Sequence, residues 1–195
     1  MENEFEAIRQ QMLLDPMNRS FVEAGQKPLF LCSPKVKVLL IGQAPGEKTM
    51  AEGKVFSDKS GEALLKWLGV GKEEFYDSGD FGVLPMDCFY PGKGKSGDLP
   101  PREEFAAKYH PLLLPLLPEV RLTLLLGKYS QERYLGDKRK KNLTETVASY
   151  QEYLPEYFPL PHPSPLNFRW MGKNPWFEEK NLPALRKEIT KALAK

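Results

Sequence analysis

The chain has 195 residues, 41% of them hydrophobic and 28% charged, and its formal net charge is +2. This length suits one domain with a buried core, and the composition excludes an intrinsically disordered chain. No apolar run approaches the ~20 residues of a membrane span, and the acidic first residues lack the pattern of a signal peptide. With two cysteines, the sequence predicts neither a disulfide framework nor an all-cysteine metal site, so we expect a cytoplasmic protein that holds no metal.

Helices and short strands alternate along the chain, as judged from apolar periodicity and turn residues. In order, we predict a helix at 4–14, a strand at 36–41, a helix at 58–68, a strand at 81–87, a helix at 102–117, a strand at 122–127, a helix at 128–135, an extended segment at 157–161 and an amphipathic helix at 176–195. Pro85 weakens the second strand, and Pro111 and Pro115 interrupt the third helix. The Gly-, Pro- and Lys-rich residues 90–101 and the basic residues 137–142 are predicted loops.

This alternation predicts an α/β fold, in which helices cover both faces of a mostly parallel four-stranded sheet to form a three-layer α/β/α sandwich. We find no internal repeat and no domain boundary, so residues 1–195 are predicted to form a single domain. Ligands of such sheets bind beyond the carboxyl ends of the strands. Gln43 follows the first strand and His162 follows the last, so both are candidates for a site there.

The first candidate motif is Gly42-Gln43-Ala44-Pro45-Gly46. Glycines on either side of a proline make a tight turn whose backbone can approach a ligand closely. An ordinary strand-to-helix turn would look the same. The motif is not a phosphate-binding loop of the Gly-Lys-Ser/Thr type, because it lacks the spaced glycines and that ending.

The second candidate motif is His162-Pro163-Ser164-Pro165-Leu166-Asn167. Prolines fix the backbone, so the imidazole would be held in one place, although a lone histidine is more often structural than catalytic. Ser164 could bond a phosphate, Leu166 could enter a stack of bases and Arg169 could pair with the DNA backbone. The mixture is typical of a surface that meets DNA.

The two motifs, in this order and separation, resemble the signature motifs of the uracil-DNA glycosylase superfamily. Residues 53–61 are similar to the segment that supplies an aromatic stacker in thermophile-type members, with Phe56 as the stacker. Residues 82–87 resemble the strand that ends in the uracil-reading Asn, and Asp87 stands at its end. The resemblance runs from Val36 to Trp170.

This resemblance implies an enzyme that acts as a monomer on damaged or modified DNA, flips one base out and hydrolyses its N-glycosidic bond without a cofactor. His162 would bond the base O2 as charge develops, Phe56 would stack on the base, and Leu166 would fill the gap in the helix. It assigns catalysis to His162 and Gln43, base binding to Gly42, Gln43, Ala44, Pro45, Phe56, Asp87 and His162, and DNA contact to Ser164, Leu166, Asn167 and Arg169.

The sequence departs from the family pattern where water is activated. Ala44 stands where the best-known members have an aspartate, and Gln43 stands where thermophile-type members have a glutamate. A neutral amide can orient water but cannot act as a general base. The neighbouring acids Glu47, Glu52 and Asp58 are expected at the surface or in helix caps. The four cysteines of the iron–sulfur members are absent.

Asp87 is a third departure, because an ionised carboxylate accepts hydrogen bonds and would face the O4 acceptor of uracil unpaired. One hypothesis is that the protein does not prefer plain uracil. The alternative is a wrong strand register, with Asp87 in a loop or cap.

Two further functions stay open on sequence alone. A non-catalytic binder of a nucleobase or of modified DNA would keep the pocket without the acid, and a hydrolase of small nucleosides would not need the DNA-facing loop. The basic residues 93–95 and 138–141 are candidates for phosphate contact, although a short basic run is more often an ordinary solvated surface.

Overall fold

The computed structural model describes residues 2–194. Within them, four parallel strands form one sheet in the order β2-β1-β3-β4. The strands are β1 Val38–Ile41, β2 Phe81–Val83, β3 Leu122–Leu126 and β4 Tyr157–Leu160. The helices are α1 Glu2–Leu14, α2 Arg19–Glu23, α3 Glu47–Glu52, α4 Lys59–Leu68, α5 Lys72–Asp77, α6 Glu103–Leu113, α7 Lys128–Leu135, α8 Leu143–Ala148, α9 Phe168–Lys173 and α10 Leu182–Leu193.

The central strands consist of apolar residues because both of their faces are covered. All residues of β1 and β3 are buried. Val38 of β1 pairs with Phe81 on one side and with Leu122 on the other. Such continuous apolar runs are typical of parallel strands that lie between two layers of helices.

Alternating side chains of β1 supply the two separate cores. Val38 and Leu40 pack on one face with residues of α4, α5 and α10. Leu39 and Ile41 pack on the other face with residues of α1 and α6. The predicted three-layer α/β/α sandwich is therefore confirmed, and its sheet is parallel throughout.

The second strand is shorter than predicted, and Pro85 explains why. The strand ends at Val83, since proline has no N–H to donate to a ladder. The chain nevertheless continues alongside β1, where the backbone N–H groups of Met86 and Asp87 donate to the carbonyls of Gly42 and Gln43 at 2.9 and 3.1 Å. This pairing joins the end of β2 to the turn after β1.

The predicted helices at 102–117 and 176–195 each consist of more than one element. The first is α6, which continues through Pro111, followed by the 3-10 turn Leu114–Leu116. The second begins with the π-helical turn Phe177–Asn181 and continues as α10, while Lys195 lies outside the described residues. No helix of the described chain is both long enough and apolar enough to cross a membrane.

The order in which the chain adds strands to the sheet reverses at β1, because β2 lies on one side of β1 and β3 lies on the other. In parallel sheets, ligands bind at the carboxyl edge where the strand order reverses. Here that edge leads into Gly42 after β1, Gly127 after β3 and Pro161-His162 after β4.

Candidate functional site

A cavity of about 700 Å³ opens at the carboxyl edge of the sheet. Its lining includes the residues of the 42–46 turn, Phe56, His162 and four residues of the loop that follows, namely Ser164, Pro165, Leu166 and Asn167. A smaller cavity of about 230 Å³ adjoins it, and Gln43, His162 and Asn167 line both. The two sequence motifs therefore meet in one place, although about 120 residues separate them.

The 42–46 turn has little freedom, because its backbone and side chains are already engaged. The carbonyls of Gly42 and Gln43 accept the two hydrogen bonds from the chain after β2. The Gln43 side chain donates from Nε2 to the carbonyl of Leu99 at 3.3 Å. Gly46 is extended and precedes the first turn of α3. The amide of Gln43 thus ties this turn to residues 92–99.

Phe56 is held in an unusual backbone conformation, with φ of +50°. Its carbonyl accepts a hydrogen bond from the Tyr76 hydroxyl at 3.1 Å. A Cβ added at Gly61 would lie 1.7 Å from the same carbonyl, so only glycine fits there. On the other side, a Cβ added at Gly42 would lie 3.8 Å from Cζ of the Phe56 ring. The ring is therefore fixed beside the 42–46 turn, as an aromatic stacker requires.

The surroundings of His162 define its tautomer. The backbone N–H of Ser164 donates to His162 Nδ1 at 3.2 Å, so Nδ1 is an acceptor. In a neutral imidazole the proton then sits on Nε2, which can donate. Asn167 donates from Nδ2 to the His162 carbonyl at 2.6 Å, and a Cβ on Gly127 would come within 3.4 Å of the His162 Cβ. The histidine is therefore positioned from both sides.

Burial lowers the pKa of His162 below its usual range, and the negative charges of Asp58 and Asp98 offset part of this lowering. The imidazole is consequently neutral at pH 7. A neutral ring with a proton on Nε2 can donate a hydrogen bond to an oxygen that gains negative charge, and it does so without first losing a proton.

Among the described residues, Asp58 and Asp98 bring carboxylates to the cavity lining, and only Asp58 could be singled out from the sequence. Asp58 caps α4, as predicted, by accepting from the backbone N–H of Gly61 at 3.1 Å. Asp98 comes from the 92–99 hairpin, in which Lys93 and Asp98 form an antiparallel bridge. The hairpin lies in a Gly-rich segment that the sequence predicted only as a loop. Glycines around a short polar run could have indicated a hairpin, but not that it covers the cavity.

Asp87 does not line the cavity, so the structure does not bring it together with the other predicted base-binding residues. Its side chain is fully buried and accepts two hydrogen bonds from the Arg102 guanidinium, at 2.7 Å from Nε and 2.9 Å from Nη2. It also accepts from the N–H of Phe89 at 3.0 Å, an Asx-type turn. Asp87 lies in a bend after the end of β2, as the alternative of a loop position predicts.

The other histidine, His110, supports the cavity from behind. Its Nε2 lies 2.9 Å from the carbonyl of Pro85, a residue that lines the cavity. A carbonyl only accepts, so Nε2 carries the proton and Nδ1 accepts from the Tyr134 hydroxyl. Burial lowers the pKa of His110 to about 4. It is thus a neutral structural residue.

The loop after His162 presents apolar side chains to solvent. Leu166 is 79% exposed and Phe168 is 66% exposed. The Ser164 hydroxyl accepts from the N–H of Leu166 at 3.2 Å and so shapes the turn that carries Leu166. Arg169 is also exposed but lies outside both cavities.

The two basic stretches differ in how far their charges are paired. In residues 138–141, Arg139 pairs with Glu132 at 3.0 Å and Lys140 pairs with Glu152 at 2.5 Å. In the 92–99 hairpin, Lys93 and Lys95 are exposed beside the cavity. The hairpin is the better placed of the two for contact with a polyanion that covers the site.

The fold and the site together define an α/β protein whose ligand cavity lies at the reversal point of a parallel sheet. A sequence profile of the uracil DNA glycosylase superfamily matches residues 29–186. The chain belongs to this superfamily. It is also similar to a candidate uracil DNA glycosylase from Methanosarcina acetivorans, known from a solution NMR structure, with 13% sequence identity and a TM-score of 0.49 over 83% of this chain and 98% of that one.

Proposed function

We propose that the protein is a DNA base glycosylase, which flips one altered base out of the strand and hydrolyses its N-glycosidic bond. The observation that carries the proposal is the cavity in which the 42–46 turn, Phe56 and His162 meet beside the exposed Leu166. Membership of the superfamily supports the same reaction.

In this proposal, the cavity holds the flipped base between a stacking ring and a hydrogen-bond donor. The Phe56 ring stacks on the base, a contact that is worth ~1–3 kcal/mol in single-strand systems. His162 donates from Nε2 to the base O2 while the glycosidic bond breaks and negative charge gathers on the base. Donors placed in advance at such an oxygen commonly make the largest single contribution to catalysis.

The loop after His162 meets the DNA itself. Leu166 enters the stack of bases at the place that the flipped base has left. Its side chain is 79% exposed in the free protein, so it is available to pack against the neighbouring bases. Arg169 and the hydroxyl of Ser164 contact backbone phosphates. Asn167, which bonds the His162 carbonyl, keeps this DNA-facing loop in register with the catalytic ring.

A panel of labelled oligonucleotides tests the proposal. Each duplex or single strand carries one altered base, among them uracil, hypoxanthine, xanthine and a modified cytosine, and alkali reveals abasic sites. We expect one base to be excised, and we expect the His162→Ala variant, checked for folding by circular dichroism, to lose at least 100-fold of the rate. Free nucleosides incubated in parallel test the nucleoside-hydrolase alternative.

Two results would each contradict one part of the proposal. Excision that is equally fast in His162→Ala would remove the proposed role of the ring. Tight retention of one oligonucleotide without any cleavage by the wild-type protein would instead support a non-catalytic binder on the same fold.

A further inference from the structure

Hydrolysis requires a group that takes a proton from the attacking water, and the 42–46 turn does not supply it. Position 44 is alanine and Gln43 carries a neutral amide. His162 is committed to the base, with Nδ1 already accepting a hydrogen bond. Of the described residues that line the cavity, Asp58 and Asp98 carry carboxylates. The carboxylate that takes up this proton therefore has to come from a segment other than the 42–46 turn.

Asp98 brings a carboxylate onto the 42–46 turn from the 92–99 hairpin. Its Oδ2 lies 3.8 Å from the position that a Cβ would take on Gly46. The carboxylate therefore lies close to the turn at this point, at a distance that would be ordinary van der Waals contact for a Cβ. The other oxygen, Oδ1, accepts from the Tyr90 hydroxyl at 3.4 Å. Tyr90 thus orients the carboxylate through Oδ1, and the Asp98 side chain is exposed to solvent.

The hairpin that carries Asp98 is fixed to the same turn. The N–H of Gly94 donates to the carbonyl of Gly97, and the N–H of Leu99 donates to that of Gly92, both at 2.8 Å. Gln43 then donates from its side chain to the Leu99 carbonyl. Gln43 is in this arrangement a positioning residue, because it holds the residue next to Asp98 over the turn.

Asp58 is less suited to the same role, because it already has a structural one. One of its oxygens accepts the backbone N–H of Gly61 as the N-cap of α4. The helix start that it caps also contains the glycine on which the conformation of Phe56 depends. Asparagine is as good an N-cap as aspartate, so Asp58→Asn should leave that structure intact.

We propose that Asp98 is the catalytic base of the reaction, in place of the acid that is absent at position 44; the inference rests on the proposed glycosylase function. The water oxygen forms a bond to C1′ of the deoxyribose as its proton passes to Asp98. The C1′–N bond breaks, and its electron pair leaves with the base, which His162 stabilises. The proton on Asp98 then passes to the departing base or to solvent.

Single-turnover excision rates on the base identified by the panel test this assignment. A positioned general base contributes about 10²–10⁴-fold, so Asp98→Asn should slow excision by at least 100-fold. Its affinity for DNA with an uncleavable analogue of that base should stay within threefold of wild type. Asp58→Asn should lose less than tenfold. Glu47→Gln, a matched change in an exposed carboxylate next to Gly46 but outside the cavity, should have no effect.

A rescue experiment separates a base from a residue that only shapes the site. Ala44→Asp returns a carboxylate to the turn, and in the Asp98→Asn background it should recover at least tenfold of the rate. A purely structural role of Asp98 predicts no recovery.

Several outcomes would overturn the inference. The first is an Asp98→Asn excision rate within threefold of wild type, and the second is a 100-fold loss in Asp58→Asn instead. The third is an Ala44→Asp/Asp98→Asn protein that is no faster than Asp98→Asn. The fourth is an Asp98→Asn protein that excises a different base from wild type. In each case an active wild-type protein leaves the glycosylase function standing. A wild-type protein that excises none of the bases overturns the function and this inference together.

Discussion

Replacing Asp87 by Asn removes the charge that faces the Arg102 guanidinium but keeps the size of the side chain. The carboxylate is fully buried, and the Arg102 side chain retains only 17% of its exposure. Arg102 also donates to the carbonyl of Met17 at 2.9 Å and lies 4.3 Å from the Phe21 ring. The guanidinium therefore cannot turn to solvent without breaking further contacts.

The size of the effect follows from what the substitution leaves behind. Removing one partner of a buried ion pair leaves the other charge uncompensated, which costs about 3–5 kcal/mol. For a chain of 150–250 residues, each kcal/mol lowers the melting temperature by about 2–4 °C, so we expect a drop of roughly 6–20 °C. Asparagine can still accept a hydrogen bond from the N–H of Phe89, so we expect Asp87→Asn to lie toward the lower end of both ranges.

Urea unfolding followed by tryptophan fluorescence measures this loss, since the chain has three tryptophans. The control is Asp80→Asn, which breaks the ion pair with Lys37 at 3.1 Å between side chains that are 26% and 32% exposed. Exposed pairs of this kind contribute up to about 1 kcal/mol. The double variant Asp87→Leu/Arg102→Met should lose less than the sum of its single changes, because it leaves no buried charge.

The reasoning fails if Asp87→Asn unfolds within 1 kcal/mol of wild type and excises uracil faster. That pair of results would return Asp87 to the base-reading position. We expect the excision rate per folded molecule to stay unchanged instead.

Three further predictions concern the stacker, the buried histidine and the exposed loop. Gly61→Ala places a methyl group against the Phe56 carbonyl and should cost about 1–3 kcal/mol together with most of the activity, measured by thermal unfolding and single-turnover excision. The pKa of His110 is lowered to about 4 in the folded protein, so between pH 6.5 and 4 the histidine is protonated in the unfolded chain but not in the folded one. The free energy of unfolding should therefore fall by about 3 kcal/mol across this range. The His110→Gln variant should lack this part of the pH dependence when stability is measured by urea unfolding. Leu166→Ala should slow excision at least tenfold in duplex DNA but little in a single strand, where no stack opposes flipping.

Matched variants sharpen these predictions. Gly71→Ala adds a methyl group where nothing lies within 4 Å, so it should leave excision unchanged. Leu14→Ala alters a leucine that is 82% exposed on α1, away from the cavity, and should leave duplex excision as it is. Equal losses in the control and in its test variant would contradict the corresponding prediction.

The layers of the fold could be predicted because local patterns determine them. Each of the elements β1, β3, α4 and α10 shows in its own residues which of its faces is buried. In β1 and β3 the sign is an apolar run, and in α4 and α10 it is the helical spacing of apolar residues. The parallel arrangement followed from the alternation of elements. The end of β2 could not be placed, because it depends on where Pro85 meets the β1 edge, which is a contact between distant segments.

The site was predictable in part for the same reason. The loop after β4 carries a local motif, so His162 could be singled out, and Phe56 could be singled out because residues 53–61 resemble a segment of the family. Asp98 could not be, since its proximity to Gly46 arises from the tertiary placement of a hairpin. The buried partner of Asp87 could not be predicted, because a bend of one or two residues reverses a side chain and Arg102 lies 15 residues further along the chain.

The cavity is assembled from five separate stretches of the chain, around positions 42–49, 55–60, 83–91, 96–98 and 162–167. None of these stretches can form it before the sheet that carries them is complete, so binding competence and global folding are thermodynamically linked. A ligand present at 100 times its dissociation constant should then stabilise the whole protein by about 2.7 kcal/mol. Shifts in the unfolding transition therefore provide a search for cognate bases and oligonucleotides that does not depend on any turnover.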